Sequence, residues 1–531
     1  MSGCGKVANN SDRFNDNYGM TSPVLLGRRE PAAAGLRPRR AAAAAVILTA
    51  LSIAVFAALS ASGDQAIVAP IGPGGPFADL HYRLAPDLMK GACWVAAACG
   101  GGGVMAGLAA VRRGWRPRPG LVLAVCAAVA VLFVLIPPAA SVDVQNYAEY
   151  GRIVILGRNP WVMTPQQLYQ LHDPVGLLRP PEWRTQPTVY GPAATALEAA
   201  AAWLGGTSMA WIAFWIKVLN GGCYVAVAAV IDRLAGPDPG RRARAGLLWA
   251  VNPLMLFWMV AGAHTDLLAA APLLLALLAA RTLRKPGAGG HPALAAGVAG
   301  ALAGLAIAVK VTFAAPVAGL AAGLWQAGPG RHRTAAPAGG IAGGAVVLAG
   351  GYAVAGKAAA RSLTRRLSSA GDAFLPIPGS VSHHPALYAA VMLAGVLIVG
   401  GVLAWRMPAG PADLPELRPM LICALAVVLG GIVQYPWYDA MFFPLLALLP
   451  ASRLDSWLVG RITLISGLIL PGVGISVYQY RDARVAVPVF TACFLAAAAL
   501  GKLQASRATA SETGSLSTGG GGRGVAREAA L

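Results

Sequence analysis

The stretch AAAAAVILTALSIAVFAALSAS, residues 41–62, decides the fold class of this chain. It is 22 residues long, it carries no charged side chain, and the basic residues Arg37, Arg39 and Arg40 precede it. About 20 apolar residues in a helix cross the hydrocarbon core of a bilayer. The long basic lead and the length favour an uncleaved membrane span, with the N-terminus in the cytoplasm, over a cleaved signal peptide.

The composition of the whole chain agrees with that interpretation. Of 531 residues, 56% are hydrophobic and only 12% are charged, whereas soluble domains have about 45–50% apolar and about 25% charged residues. This excludes a soluble enzyme, a disordered chain and a fibrous protein. The apolar runs are of helix length and unlike the roughly ten-residue alternating strands of a membrane barrel. The sequence therefore predicts an all-α polytopic membrane protein.

Hydropathy and the distribution of basic residues predict about 13–14 transmembrane helices, both termini inside, and a large first external loop. The basic turn Arg112–Arg118 is assigned to the cytoplasm, and the short apolar stretch 191–205 to a re-entrant or interfacial segment. The predicted spans are 41–62, 90–111, 119–139, 208–231, 245–263, 267–283, 292–309, 312–326, 335–356, 386–405, 418–434, 438–450, 461–479 and 485–502.

Three regions follow from this pattern. Residues 1–40 and 503–531 are predicted to be disordered cytoplasmic tails, and 41–502 a transmembrane domain whose long external loop 140–190 is the candidate catalytic loop. The net charge of +20 is attributed to cytoplasmic loops and not to nucleic-acid binding. The external segment 357–385 is an exception to this distribution. Its basic residues either bind phosphate or have no function and simply do not follow the preference of basic residues for cytoplasmic loops. These residues are Lys357, Arg361, Arg365 and Arg366.

The external loop 140–190 contains the densest mix of Asp, Tyr, Trp, Arg and His in the chain, and it opens with SVDVQNYAEYGR at residues 141–152. On a helix that starts there, Asp143, Tyr147 and Tyr150 share one face. Asp143 could act as a general base on a substrate hydroxyl. Alternatively, Ser141 or Asp143 could simply cap the helix.

Further polar groups lie at the ends of later spans. Pro253 is expected to kink its helix, and His264-Thr265-Asp266 follows at the outer end, either as a functional site or as the capped start of the next helix. Lys310 lies alone between two apolar runs and is expected to snorkel to the interface or to bind an anionic head group. The segment Gln434–Asp439 is interpreted as an aromatic belt, or as a surface that stacks on a sugar or lines a lipid groove.

Several kinds of chemistry lack support in the sequence. It contains no P-loop or HExxH motif. The seven cysteines have no CxxC spacing, and the six that lie in or beside apolar runs are interpreted as small buried hydrophobic residues. His383-His384 has no partner at ligand spacing, so no metal site is predicted.

Taken together, these motifs resemble those of the GT-C glycosyltransferases, in particular the actinobacterial polyprenol-phosphate-mannose-dependent α-1,6-mannosyltransferases of lipomannan assembly. Trp161 stands where the family usually has Tyr, and Thr265 stands where it usually has Asn. Because Thr265 lacks the amide of Asn, the resemblance does not determine the identity of the acceptor. The residues that carry the resemblance are Asp143-Val144, Tyr147, Gly151-Arg152, Gly157–Trp161, Val189–Pro192, Asn252–Leu254, Gly262–Asp266 and Lys310.

The resemblance implies a GT-C-like bundle in the plasma membrane with its active site on the external face. It implies polyprenyl-phosphate mannose as donor, with no further cofactor, and a glycan or glycolipid as acceptor. Asp143 would be the general base of an inverting transfer, and Lys310, Arg365 and Arg366 would bind phosphate. The residues implied in donor or acceptor binding are Tyr147, Arg152, Arg158, Tyr190, His264 and Asp266.

Rival interpretations remain open. Another GT-C transfer, such as protein O-mannosylation or arabinosyl transfer, fits the same motifs. A lipid-linked-sugar flippase or transporter would be expected to have inverted repeats and ionisable residues at mid-membrane, whereas the polar residues cluster at the predicted outer ends. A non-catalytic scaffold would tolerate Asp143→Asn. Protein partners, oligomeric state and any metal requirement are not determined by the sequence.

Overall fold

A computed structural model describes residues 33–64, 67–178, 183–282, 292–327, 332–368, 385–430 and 435–470. Regular structure in these ranges is helical, apart from one isolated β-bridge between Val68 and Ala139. Residues 1–32 of the predicted tail 1–40, the predicted tail 503–531, the spans beyond residue 470 and His383-His384 fall outside the described residues, while residues 33–40 are helical.

Eighteen α-helices follow one another along the described ranges. They are α1 Ala33–Ala61, α2 Pro86–Arg112, α3 Pro119–Leu135, α4 Asp143–Ile155, α5 Pro165–Gln170, α6 Pro192–Gly205, α7 Met209–Ala235, α8 Pro239–Ala245, α9 Pro253–Leu256, α10 Asp266–Thr282, α11 Pro292–Val309, α12 Ala314–Ala327, α13 His332–Ala355, α14 Lys357–Ser368, α15 Pro385–Arg406, α16 Leu417–Leu425, α17 Phe443–Leu448 and α18 Arg453–Ile469.

Six stretches of helix in the described ranges are long and apolar enough to cross a membrane. The fold-class prediction of an all-α polytopic membrane protein is therefore confirmed. Four shorter apolar helices accompany these six, and the count of about 13–14 spans stays a prediction. The six are Arg39–Ala61, Pro86–Arg112, Met209–Ala235, Pro239–Ala261, Ala338–Ala355 and Ala389–Arg406.

The stretch 239–261 is a broken helix, as the Asn252-Pro253 pair predicted. The chain forms π-helical turns at Gly246–Ala250 and Phe257–Ala261, and between them Asn252 starts α9 with its side chain accepting hydrogen bonds from the N–H groups of Leu254 and Met255. Proline cannot donate to the preceding turn, so the break falls at this pair. It divides the predicted span 245–263 into two halves.

The predicted span 438–450 is wrong. This part of the chain forms a 3-10 helix, Pro436–Met441, followed by the six-residue α17, which is about 9 Å long. Pro436 begins the 3-10 helix, Pro444 lies in the first turn of α17, and Pro450 forces Leu449 into an extended conformation. The apolar run is thus divided by its prolines.

The core lies between α1, α2, α3, α7 and the broken helix. Tyr224 stacks on Trp249 at 4.8 Å and Phe56 on Phe257 at 4.0 Å, and all four side chains are buried. The pair α11 and α13 packs through its backbones, since a Cβ on Gly300 would lie 1.8 Å from the carbonyl oxygen of Gly340. Such small-residue contacts are typical of helix pairs in membranes.

The helix α7 connects two chemically different ends of the bundle. Its first turns, Met209–Ile216, pack against Val144, Tyr147 and Ala263. Its last turn lies among arginines about 36 Å away. There Arg281 donates to the carbonyl of Arg233 and pairs with Asp413 at 3.0 Å. The group Arg116, Arg233, Arg241, Arg242 and Arg281 is called the basic end.

Candidate active site

Asp143 is the first residue of α4, at the end of the bundle opposite the basic end. Its backbone N–H donates to Ser141 Oγ at 3.0 Å, so the serine fixes the entry of the chain into the helix. The carboxylate is 16% exposed, and its Oδ2 lies 3.5 Å from His264 Nδ1. This exposure allows a ligand to reach a carboxylate that is otherwise enclosed by protein.

Two tyrosines lie beside Asp143. The hydroxyls of Tyr147 and Tyr190 are 3.3 Å apart, and the rings meet edge to face at 5.2 Å. Burial, together with the negative charge of Asp143, raises the pKa of both phenols well above the usual value near 10. Both phenols therefore keep their protons, and the hydroxyl that accepts the bond between them has its own O–H left to donate to a ligand.

Lys310 and Asp266 form a buried ion pair in the same site. Lys310 follows α11, Asp266 begins α10, and Lys310 Nζ lies 2.8 Å from both carboxylate oxygens of Asp266. The ammonium also lies over the ring of Tyr438 at 4.1 Å and near that of Tyr190 at 5.9 Å. The lysine predicted to stand alone thus has an acidic partner 44 residues away in sequence.

His264 is enclosed between these groups. Burial, followed by the nearby charge of Lys310, holds the pKa of the imidazole well below its usual value near 6.5. The ring is therefore neutral at physiological pH. Both its nitrogens, and Thr265 Oγ1, are buried and make no hydrogen bond within the described part of the chain. Buried polar atoms without a hydrogen-bond partner are uncommon in folded proteins.

Backbone strain marks the two loops that deliver these residues. Ala140 has φ +73°, and Ala263 has φ +55°. An L-residue other than glycine in this left-handed region costs about 1–2 kcal/mol. Residues held in that conformation cluster at active sites, and here they directly precede the Ser141–Asp143 and His264–Asp266 segments.

A close backbone approach joins the Tyr190 and Lys310 loops. The N–H of Gly191 donates to the carbonyl of Val309 at 3.0 Å, and a Cβ on Gly191 would lie 2.0 Å from the carbonyl oxygen of Ala308. Only glycine fits this contact without displacing the other loop. Gly191 therefore sets how close Tyr190 comes to Lys310.

The aromatic segment around Trp437 packs against His264. His264 stacks on Trp437 with centroids 4.1 Å apart and an interplanar angle of 10°. Tyr435 stacks on Trp437 at 4.4 Å and 7°. Asp439, two residues on, is buried and pairs with Arg461 of α18. The sequence singled out this segment without predicting its contact with His264, and it did not single out Arg461. A lone arginine in the apolar run 457–470 is a signal that could have identified it.

Two of the candidate residues lie away from Asp143. Arg152 is nine residues further along α4, about 13 Å by helical rise, and pairs with Asp173 at 2.9 Å. Arg158 lies beyond the end of α4 and is exposed. Their predicted role in donor or acceptor binding stays a prediction. Arg365 and Arg366 belong to α14, and their side chains are outside the described part of the structure.

The residues that the fold does bring together form a compact chemical set. They comprise one accessible carboxylate, two protonated phenols, one neutral imidazole and one ammonium held by a second carboxylate. Among the described residues, no group of three or more His, Cys, Asp or Glu is arranged to hold a metal ion. The set can accept a proton at Asp143 and stabilise negative charge near Lys310.

Comparison with protein families gives one match. The model of the family described as alpha-(1->6)-mannopyranosyltransferase, N-terminal domain, matches residues 44–327, which is more than half of the chain. Comparison with curated proteins and with solved structures gives no match. The matched range contains Asp143, Tyr147, Tyr190, His264, Asp266 and Lys310. The chain therefore belongs to the alpha-(1->6)-mannopyranosyltransferase family.

Proposed function

We propose that this protein transfers mannose from polyprenyl-phosphate mannose to a glycan or glycolipid of the lipomannan type, with inversion at the anomeric carbon. The observation that carries the proposal is the convergence of the accessible Asp143 carboxylate and the Lys310 ammonium in one site. The Asp143 carboxylate can take the proton of an acceptor hydroxyl, and the Lys310 ammonium can stabilise the negative charge of the departing phosphate. The family match supports the sugar and the linkage.

The transfer follows from the charges of these two groups. Asp143 takes the proton from the acceptor hydroxyl as that oxygen attacks the anomeric carbon. The bond between the anomeric carbon and the phosphate oxygen breaks, and its electron pair leaves with polyprenyl phosphate. This leaving group is a weak base and needs no proton. Lys310 stabilises the charge that develops on the phosphate.

The neighbouring side chains have supporting roles in this proposal. The neutral His264 Nδ1 lies 3.5 Å from the Asp143 carboxylate, and it can orient this base or a sugar hydroxyl. The hydroxyls of Tyr147 and Tyr190 bond to each other, and the one that accepts this bond can donate its own O–H to the sugar. Asp266 holds Lys310 at the position where the phosphate would lie.

The charge distribution supports an active site on the external face of the plasma membrane. Basic residues favour the cytoplasmic ends of membrane helices. The basic end of the bundle and the Asp143 end are separated by the length of α7, 27 residues or about 40 Å. If the basic end faces the cytoplasm, Asp143 faces outward and meets donor lipid in the outer leaflet.

The experiment uses the full chain in nanodiscs, radiolabelled polyprenyl-phosphate mannose and a short α-mannoside acceptor. We compare the wild-type protein with Asp143→Asn and with the matched control Asp87→Asn, since Asp87 is 98% exposed at the start of α2. We expect label in the acceptor for the wild type and the control, and a loss of at least about 100-fold for Asp143→Asn.

Two results would contradict the proposal. Equal transfer by the wild type and Asp143→Asn would remove Asp143 as the base. No transfer by the wild type to any mannoside would contradict the donor or the acceptor, and movement of labelled lipid across the bilayer would then favour a flippase.

A further inference from the structure

Both faces of the Trp437 indole are occupied by other side chains. His264 and Tyr435 each lie parallel to Trp437, at centroid distances of 4.1 Å and 4.4 Å. Two rings cannot lie flat on the same face of one indole at these separations without overlapping, so they occupy opposite faces. Trp437 therefore cannot stack on a sugar, which is one role that the sequence suggested for this segment.

The stack orients His264. Its ring is held parallel to Trp437 within 10°, and Trp258 approaches at 6.3 Å from another direction. With the ring plane fixed in this way, Nδ1 is directed toward Asp143 at 3.5 Å. The imidazole makes no hydrogen bond within the described residues, so aromatic contacts are what the structure offers to hold its plane.

The same short element also contacts Lys310. Tyr438, the residue after Trp437, presents its ring to the Lys310 ammonium at 4.1 Å. A cation over an aromatic face is attracted to it. Asp439 fixes the element to α18 through its buried pair with Arg461, whose side chain is 6% exposed. The 3-10 helix Pro436–Met441 thus contacts His264 through Trp437 and Lys310 through Tyr438, and Asp439 connects it to α18.

We propose that the 3-10 helix Pro436–Met441 is a positioning element of the active site, and that Trp437 is a positioning residue for His264. This inference rests on the proposed function. The element lies outside residues 44–327, the range that the family model matches. Trp437 acts on the reaction through the orientation of His264 and makes no contact with substrate of its own.

The first arm of the test needs no transferase activity. Diethyl pyrocarbonate modifies neutral imidazoles, and peptide mass spectrometry reports each histidine separately. His264 is buried in the wild type, while His81, with a side chain 82% exposed, provides the internal reference. In Trp437→Ala we expect the rate at His264 relative to His81 to rise by about tenfold, the upper end for loss of an aromatic pair. An unchanged ratio would overturn the proposal.

The second arm measures kinetics in the full chain. We expect Trp437→Ala to lower kcat by about 100-fold with KM within about threefold, as expected for a displaced catalytic constellation. Trp437→Phe keeps a flat face and should stay within about threefold of the wild-type kcat. The matched control is Trp405→Ala, because Trp405 is 76% exposed on α15.

The outcomes separate the two proposals. Equal loss of kcat in the Phe and Ala variants would overturn the positioning role. If the wild type transfers no mannose, the proposed function fails, and the catalytic part of this inference fails with it. The modification rate of His264 then still decides whether Trp437 holds the imidazole.

Discussion

Replacing Lys310 by Met tests the buried ion pair most directly. The change keeps the length of the side chain and removes the two 2.8 Å hydrogen bonds to Asp266, whose carboxylate is only 1% exposed. Breaking a buried pair by removing one partner costs about 3–5 kcal/mol. At the middle of that range the folding equilibrium changes by about three orders of magnitude.

A double variant separates stability from catalysis. In Asp266→Asn/Lys310→Met both charges are removed with similar side-chain shapes, so no unpaired charge remains. We expect the stability to return to within about 1–2 kcal/mol of the wild type. Transfer should remain at least about 100-fold lower, because the group that stabilises the leaving phosphate is absent.

The assay is thermal unfolding in detergent, followed by tryptophan fluorescence, together with mannosyl transfer normalised to folded protein. Arg244→Met is the matched control, since Arg244 forms another buried pair, with Asp455, and caps the carbonyls at the end of α17. We expect this control to lose stability while transfer per folded molecule is kept. Wild-type transfer by the double variant would refute the role of Lys310 at the phosphate.

Three further outcomes are expected. Gly191→Ala would place a Cβ 2.0 Å from the carbonyl oxygen of Ala308. We therefore expect kcat/KM, measured with the labelled donor, to fall at least about tenfold. Wild-type kinetics in this variant would contradict the need for the close approach of the two loops. Arg152→Gln removes the ion pair with Asp173, whose side chain is 7% exposed, and should lower the free energy of unfolding by about 1–3 kcal/mol. Chemical denaturation in detergent measures this free energy. An unchanged denaturation midpoint would show that the ion pair does not stabilise the fold. The pKa of His264 lies well below its usual value, so below pH 6.5 the unfolded chain binds more protons than the folded protein. The free energy of unfolding therefore falls as the pH drops, by at most about 1.4 kcal/mol per pH unit. Between pH 7.5 and pH 5 the melting temperature of His264→Gln should decrease less than that of the wild type, and an equal decrease would contradict a depressed pKa.

The local features of the fold could be predicted from the sequence. The starts of α4 at Asp143 and of α10 at Asp266, and the break at the Asn252 cap and Pro253, lie where the local polar residues and proline predicted them, although no side chain caps α4. These signals act within one turn of helix, so a single sequence contains all that is needed. The apolar length of the first run likewise predicted the span that the helix Arg39–Ala61 forms.

The long-range part of the site could not be predicted in this way. Asp266 meets Lys310 across 44 residues, and Trp437 meets His264 across a still longer separation, because helix packing decides both contacts. Arg152 is close to Asp143 in sequence, but helical rise separates the two residues by about 13 Å. The run 438–450 was apolar enough to suggest a span, but its prolines divide it into short turns.

The position of the Trp437 element late in the chain has a consequence for biosynthesis. His264 and Trp437 are separated by about 170 residues, which a ribosome adding about 5–20 residues per second takes roughly ten to thirty seconds to make. During that interval Asp143, His264 and Lys310 can already meet, while the ring that covers the imidazole has not yet been translated. The face of the imidazole that Trp437 covers in the folded protein therefore lacks this cover while the intervening residues are being made.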